Sequence, residues 1–190
     1  MTAPARITPH ALPGSAGHIN LVQGEYAVSA DAMVTLTTIL GSCVAACLRD
    51  PHAGVGGMNH FLLPGALAGK AVGVERGVHA MELLINELLK AGARRDRLEA
   101  KIFGGARMMK NLSDIGAKNA SFAIDFLKQE GIPVIGGSTG GEAARRIRFW
   151  PATGKAQQRI MGQSEAHVFA RELSIAAAPV APPADDVEFF

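Results

Sequence analysis

Residues 34–63 contain three apolar segments separated by residues that favour turns. Residues 34–40 are rich in β-branched side chains and predict a buried strand. Residues 44–49 and 55–63 flank Asp50-Pro51-His52-Ala53-Gly54, in which Asp and Pro suit the first two positions of a type I turn and Gly can adopt a positive φ. The two flanking segments are therefore predicted to form a β-hairpin.

The rest of the chain extends this pattern of short elements. Further strands are predicted at residues 19–22, 26–29, 98–103, 132–135, 145–150 and 156–161, and amphipathic helices at residues 75–91 and 119–130. Strands outnumber helices, and several connections have the composition of hairpin turns. The sequence therefore predicts an α+β fold with mixed sheets and not a doubly wound parallel sheet.

The composition predicts one folded domain between two irregular ends. Of the 190 residues, 48% are hydrophobic and 19% are charged, which is enough apolar material for a core. Residues 1–17 are rich in Pro, Ala and Gly and predict an irregular N-terminal arm. Residues 176–190, with three Pro and several acidic residues, predict a disordered C-terminal tail. The domain is thus expected to span residues 18–175.

The charge balance argues against a dedicated nucleic-acid-binding protein. Nineteen basic and seventeen acidic residues leave a net charge of +2. No apolar run reaches the roughly 18 residues that a membrane span needs, and the N-terminus lacks the apolar segment of a signal peptide. Two cysteines are too few for a disulfide framework, which indicates a reducing compartment. We therefore expect a cytoplasmic protein without membrane insertion.

Cys43 and His60 are the residues with the clearest chemical potential. Cys43 follows Gly41, which is expected to provide a sharp turn at the end of a strand. One hairpin register places Cys43 directly opposite His60. A four-residue loop at 51–54 instead places His60 opposite Ala45, with Cys43 as its diagonal neighbour. In either register the thiol and the imidazole share one face of the sheet and lie within side-chain reach.

A thiol beside an imidazole is an activated nucleophile that can attack a carbonyl carbon and form a thioester. A third polar group usually fixes the tautomer of such an imidazole. The nearby candidates are Thr35, Thr37, Thr38 and Asn59, and strand parity alone favours none of them. Cys47 lies deeper in its strand and is interpreted as a small buried hydrophobic residue.

Other groupings of reactive or charged residues are weaker. A metal site would have to use Cys43, Cys47, His52 and His60, but the chain has no CxxC or HExxH motif, so no metal is expected. The Gly-rich residues 136–143 lack the lysine of a phosphate-binding loop and predict an ordinary loop. The basic residues Arg145, Arg146, Arg148, Lys155 and Arg159 predict a solvated hairpin face.

Residues 38–44 (TILGSCV) and 56–64 (GGMNHFLLP) resemble the hallmark motifs T-x-L-G-S-C-[VI] and G-G-[ML]-x-H-x-x-L-P of the chemoreceptor glutamine deamidase family, CheD. Further blocks at residues 80–93, 101–109, 115–119 and 140–156 resemble the same family in the same order. The resemblance covers roughly residues 19–161.

This resemblance implies Cys43 as the nucleophile and His60 as its general base. It also implies a catalytic Thr six residues before the cysteine, which is Thr37, although Thr35 and Thr38 lie close by. The family is similar in fold to the deamidating domain of cytotoxic necrotizing factor toxins. That similarity implies two packed mixed β-sheets flanked by helices.

The activity that the resemblance implies is hydrolysis of glutamine side chains to glutamate in methyl-accepting chemoreceptors, as part of chemotaxis adaptation. This reaction needs no metal or organic cofactor. The resemblance also implies that, in some bacteria, such a protein docks with the phosphatase CheC. The alternative is therefore a regulatory docking module of the chemotaxis pathway with little catalysis.

Overall fold

The computed structural model describes residues 17–63, 70–108 and 114–162, except for the side chains of residues 70–73. All of the predicted N-terminal arm except Gly17 lies outside the described residues, and so does the predicted C-terminal tail at 176–190.

The described residues form nine strands, two helices and a short 3-10 turn. The strands are β1 (His18–Asn20), β2 (Tyr26–Ser29), β3 (Thr35–Leu40), β4 (Val44–Asp50), β5 (Val55–Asn59), β6 (Glu99–Gly104), β7 (Val134–Thr139), β8 (Arg145–Trp150) and β9 (Lys155–Ile160). The helices are α1 (Lys70–Lys90) and α2 (Ile115–Gln129), and the 3-10 turn is Arg95–Arg97.

The strands form two mixed sheets. A five-stranded sheet has the order β2-β5-β4-β6-β7, and a four-stranded sheet has the order β1-β3-β8-β9. Each contains one parallel pair, β6 with β7 in the first and β1 with β3 in the second, while the remaining pairs are antiparallel. The predicted α+β fold with mixed sheets is therefore confirmed, and the specific likeness to the toxin domain stays a prediction.

The alternation of side chains along β4 shows how the layers pack. Val44, Ala46 and Leu48 belong to an apolar core shared with α1 and α2. Ala45 and Cys47, on the opposite face of the strand, belong to a second core shared with the four-stranded sheet. The five-stranded sheet is thus the middle layer, with the helices on one face and the smaller sheet on the other.

The hairpin of β4 and β5 has a four-residue turn at residues 51–54. Gly54 has a φ of 65° and donates its N–H to the Asp50 carbonyl oxygen at 3.0 Å. The Asp50 carboxylate accepts hydrogen bonds from the N–H groups of His52 and Ala53, at 2.8 and 3.0 Å. These hydrogen bonds to the carbonyl oxygen and carboxylate of Asp50 stabilise a loop of four residues between the two strands.

The turn fixes the register of the strands that lead to the candidate site. Val44 and Phe61 exchange backbone hydrogen bonds of 3.0 and 2.9 Å just beyond the regular ladder. Ala45 therefore lies opposite His60, and Cys43 is the diagonal neighbour of His60 on the same face. This confirms the second of the two predicted registers.

The structure corrects several predicted boundaries. Residues 136–139 belong to strand β7, so the ordinary loop predicted over 136–143 is wrong for this part. A Cβ on Gly137 would overlap the Ile102 carbonyl oxygen, so this glycine allows the edge strand to approach β6 closely. Helix α2 begins four residues before the predicted start, at Ile115, because the Asp114 side chain caps it by accepting the Ala117 N–H at 2.9 Å.

Candidate active site

Cys43 lies immediately before β4, points into the core between the two sheets, and is only 3% exposed. Its carbonyl oxygen accepts a hydrogen bond of 2.8 Å from the N–H of Gly105. Gly104 has a φ of 107°, and a Cβ there would overlap the Cys43 carbonyl oxygen. The close approach therefore depends on a glycine at the end of β6. Gly41, expected to make a sharp turn, has no positive φ; its carbonyl oxygen accepts the N–H of Ala106 at 2.8 Å.

His60 follows β5 and is held by the turn between β1 and β2. Its N–H donates to the Glu25 carbonyl oxygen at 2.9 Å, and its own carbonyl oxygen accepts the N–H of Gly24 at 2.7 Å. The side chain is 6% exposed. The backbone on both sides of the imidazole is thus fixed by a loop that is distant in the sequence.

The Thr38 hydroxyl lies 2.8 Å from Nδ1 of His60 and 2.7 Å from the Leu21 carbonyl oxygen. A carbonyl oxygen can only accept, so the single hydroxyl proton is donated to Leu21. The hydroxyl oxygen then accepts a hydrogen bond from Nδ1–H of His60. This assigns the proton of the neutral imidazole to Nδ1 and leaves the lone pair on Nε2.

Thr37, which the family resemblance selected, does not contact the imidazole. Its hydroxyl lies 3.4 Å from the Ile19 carbonyl oxygen and 3.3 Å from the side-chain oxygen of Asn20, on the other face of β3. Thr35 lies at the far end of β3, where it pairs with β1. The structure therefore brings Thr38 to His60 in the place expected for Thr37.

The thiol and the imidazole are both neutral at physiological pH. Burial raises the pKa of Cys43 to about 12, although the N–H of the same residue acts in the opposite direction. Burial lowers the pKa of His60 to about 4, against a smaller opposing effect of the Leu21 backbone. The resting pair is therefore a thiol and a neutral imidazole and not a thiolate and an imidazolium.

Among the described residues, the thiol of Cys43 makes a hydrogen bond to Gln23 and none to His60. Cys43 Sγ donates to the side-chain oxygen of Gln23 at 3.6 Å. Nε2 of His60 is buried and has no hydrogen-bond partner among the described residues. An unpaired buried nitrogen costs free energy, and such a group in a folded protein is often part of a functional site, so Nε2 is a candidate base.

Two buried asparagines hold the surrounding backbone. Asn119 on α2 donates to the Ser42 carbonyl oxygen at 2.8 Å and accepts the Leu63 N–H at 3.0 Å. One carboxamide thus links the residue before Cys43 to the segment that follows His60. Asn59, a candidate third group from the sequence, instead accepts the Ala46 N–H at 2.9 Å and does not bond to the imidazole.

The remaining candidates do not join the site. Cys47 is buried in the core between the sheets, and burial raises the pKa of its thiol well above the usual range. Both cysteines are free. Within the described ranges, no group of three or more His, Cys, Asp or Glu residues is arranged to hold a metal ion. None of the described helices combines the length and apolarity needed to cross a membrane.

Arg145 is buried, so the predicted solvated face is wrong for this residue. Its guanidinium donates to the carbonyl oxygens of Ser138, at 2.8 Å, and Gly140, which links the end of β7 and the residue after it to the start of β8. The other members of the predicted face are exposed. Arg146, Arg148 and Arg159 line a groove of about 400 Å³ on the outer side of the four-stranded sheet.

A family model and the curated relatives of this sequence point to one family. A family model described as CheD chemotactic sensory transduction matches residues 67–160. A protein of Rhizobium leguminosarum bv. trifolii named probable chemoreceptor glutamine deamidase CheD is 53% identical over 183 residues, which cover 93% of this chain and 98% of that protein. A protein of Agrobacterium fabrum with the same name is 55% identical and covers 94% of this chain and 99% of its own length.

Solved structures show more distant and partial likeness. The hypothetical protein YfiH of Bacillus licheniformis has a TM-score of 0.42 and 14% identity, over 60% of this chain and 49% of that chain. A Neisseria meningitidis protein has a TM-score of 0.43 and 11% identity, over 66% of this chain and 64% of its own.

Proposed function

This chain belongs to the CheD family, and from that premise we propose that Cys43 is the nucleophile with which it converts chemoreceptor glutamine side chains to glutamate. The names of the relatives favour a glutamine deamidase over the docking module considered from the sequence. The reaction is hydrolysis of a side-chain amide, with release of ammonia.

The observation that carries the proposal is the contact of 2.8 Å between the Thr38 hydroxyl oxygen and Nδ1 of His60. With the hydroxyl proton assigned to Leu21, Nδ1 carries the imidazole proton and the Nε2 lone pair is available as a base. Cys43 is the diagonal neighbour of His60 on the same face of the sheet, a separation of roughly 7 Å between Cβ atoms that side chains can bridge. A thiol, a correctly protonated imidazole and a group that orients it form a catalytic unit for acyl transfer.

The residues act in two steps. In the first, Nε2 of His60 takes the thiol proton while Cys43 Sγ attacks the amide carbon of the substrate. The tetrahedral intermediate then collapses as His60 returns the proton to the departing nitrogen, which leaves ammonia and a thioester. In the second step, His60 takes a proton from water, whose oxygen attacks the thioester, and the proton returns to the sulfur as glutamate is released.

The pKa values indicate how the first step proceeds. A thiol with a pKa of about 12 is almost entirely protonated at neutral pH, so the thiolate is not a resting state. Proton transfer to His60 must therefore accompany the attack on the substrate. The N–H of Cys43 lies beside its own sulfur and is our candidate to stabilise the negative charge on the intermediate's oxygen.

The substrate and setting follow from the family. We expect the glutamines to lie in the cytoplasmic domains of methyl-accepting chemoreceptors, and the enzyme to work in the cytoplasm where those domains are. Binding of the phosphatase CheC stays a prediction from the family resemblance. The proposed chemistry uses side chains and water only.

Mass spectrometry of a chemoreceptor cytoplasmic domain from the same organism tests the proposal. The domain is incubated with wild-type protein, with Cys43→Ala and with Cys47→Ala. Both substitutions remove a buried thiol from the same core, so Cys47→Ala is a matched control for packing. We expect wild type and Cys47→Ala to convert glutamine to glutamate and Cys43→Ala to convert none. Equal conversion by Cys43→Ala would remove Cys43 from the reaction.

A further inference from the structure

The turn between β1 and β2 covers the candidate nucleophile with a glutamine. Gln23 is exposed, yet its side-chain oxygen lies 3.6 Å from Cys43 Sγ and accepts a hydrogen bond from the thiol. The turn is fixed at the site because Gly24 donates to the His60 carbonyl oxygen at 2.7 Å and Leu21 accepts the Thr38 hydroxyl at 2.7 Å. Gln23 is thus held at the catalytic residues by the same loop that orients His60.

The residue that covers Cys43 is of the same type as the proposed substrate residue. A glutamine side chain ends in a primary carboxamide, the group on which the proposed reaction acts. Its oxygen is placed against the sulfur that would attack a substrate carboxamide. We propose that the Gln23 carboxamide occupies the subsite for the substrate glutamine, so that an incoming substrate must displace Gln23 before Cys43 can react. The inference rests on the proposed function.

The protonation pattern supports this assignment. A thiol has one proton, and in the free enzyme it is donated to Gln23. Nε2 of His60, buried and without a partner among the described residues, is the acceptor that the reaction requires. When Gln23 leaves, the thiol proton is free to turn toward Nε2. Gln23 therefore separates the nucleophile from its base until a substrate takes its place.

The cost of displacement is small. Gln23 lies at the surface, so its side chain can move into solvent without opening the core. The contact to be broken is one hydrogen bond from a weak S–H donor. A cover that is held this lightly lowers the population of the open state by a modest factor, which appears as a weaker apparent affinity for substrate.

The rate of alkylation of Cys43 measures how well Gln23 protects the thiol, and it can be determined without a receptor. Each protein carries Cys47→Ala so that one thiol remains, and the rate constant for reaction with iodoacetamide, itself a primary carboxamide, is measured. We expect Gln23→Ala to react about two- to tenfold faster, the range set by one net hydrogen bond. Val22→Ala, an exposed neighbour in the same turn, is the matched control and should keep the original rate.

A second variant separates the carboxamide from the bulk of the side chain. Gln23→Met keeps a similar length but has no amide oxygen, so we expect it to react as fast as Gln23→Ala. A Met variant that stays as slow as wild type would show that shape alone protects the thiol, and the subsite assignment would be wrong. An Ala variant with an unchanged rate would also overturn the assignment.

Receptor deamidation supplies an independent readout. Removal of an internal competitor should lower KM by about the same two- to tenfold factor while kcat is retained. A fall in kcat would place Gln23 in the catalytic machinery and contradict the proposal. If Cys43→Ala still deamidates receptors, the proposed function is contradicted. The alkylation result stands apart from that outcome, because it tests only whether Gln23 covers the thiol.

Discussion

The Thr38 hydroxyl bridges two elements that are far apart in the sequence: it lies 2.8 Å from Nδ1 of His60 and 2.7 Å from the Leu21 carbonyl oxygen. Because the hydroxyl proton is used by Leu21, the bridge accepts only the Nδ1–H form of His60. The four-stranded sheet, which contributes Thr38, thereby determines which nitrogen of the neutral His60 ring keeps its lone pair.

Replacement of Thr38 by Val removes the hydroxyl but keeps the branched shape. We expect kcat for receptor deamidation to fall about tenfold, since one hydrogen bond no longer selects the active tautomer. Thr37→Val is the matched control and should keep the wild-type kcat. Thr38→Ser, which retains a hydroxyl, should restore most of the activity. A wild-type kcat for Thr38→Val would remove Thr38 as a positioning residue.

The pH dependence of activity should reflect the buried His60. Its pKa is about 4, so the neutral base is present at all higher pH values. We expect kcat/KM to be constant across neutral pH and to reach half its plateau near pH 4, where His60 becomes protonated. Short assays from pH 4 to pH 8 check this, with the fluorescence of the single Trp as a control for folding. A midpoint near pH 6.5 would indicate a solvated imidazole.

Protonation of His60 should also change the free energy of unfolding. His60 has a pKa near 6.5 in the unfolded chain and about 4 in the folded one, so between these values the unfolded chain binds the extra proton. The free energy of unfolding should therefore fall as pH decreases from 6.5 to 4, by roughly 3 kcal/mol. It should not change above pH 6.5 on account of His60. Urea unfolding of wild type and His60→Gln over this range measures it, and parallel pH profiles would contradict the prediction.

Part of the site could be predicted from local sequence. The turn at 51–54 fixes the register of the hairpin, and the register puts Cys43 and His60 on one face. The alternation of Leu36, Thr38 and Leu40 along β3 is a second local signal, because it places Thr38 on the same face as two core residues. Period-two alternation could therefore have selected Thr38 over Thr37.

The rest of the site depends on contacts between distant segments. Asn119 reaches residues 77 and 56 positions away, and Gln23 reaches a cysteine 20 positions away. Such contacts follow from how the two sheets and α2 pack, which local periodicity does not determine. The burial of Arg145 has the same origin, because its partners lie in the segment around the end of β7, which sequence reasoning assigned to a loop.

Asn119 provides a test of positioning by the helix layer. Asn119→Leu leaves the Ser42 carbonyl oxygen and the Leu63 N–H without their partner, and should cost about 2 kcal/mol of stability. Because these two groups flank Cys43 and His60, we expect kcat to fall while KM changes little, measured where the variant is fully folded. Ser121→Ala, on the exposed side of the same helix, should have neither effect. Loss of stability with unchanged kcat would make Asn119 purely structural.

Substitution of Asp50 should lower stability without lowering kcat, because Asp50 lies at the far end of the hairpin from Cys43. Its carboxylate is fully buried and accepts the N–H groups of His52, Ala53 and, at 2.9 Å, Arg94. Burial alone would raise its pKa, but the three donors outweigh burial and hold the pKa below the ordinary value. Asp50→Asn places an amide where only acceptors fit.

The free energy of unfolding of Asp50→Asn should fall by about 2 kcal/mol, the loss expected when a buried charge-assisted hydrogen bond is removed. Since the strand ladder between Asp50 and the site is unchanged, kcat of the folded variant should match wild type. Asp96→Asn, which removes an exposed carboxylate paired with Arg94, is the control and should unfold like wild type. Urea unfolding gives the free energy of unfolding, and receptor deamidation by the same samples gives kcat. A fall in kcat at full folding would mean that the turn controls the placement of Cys43 and His60 beyond fixing their register.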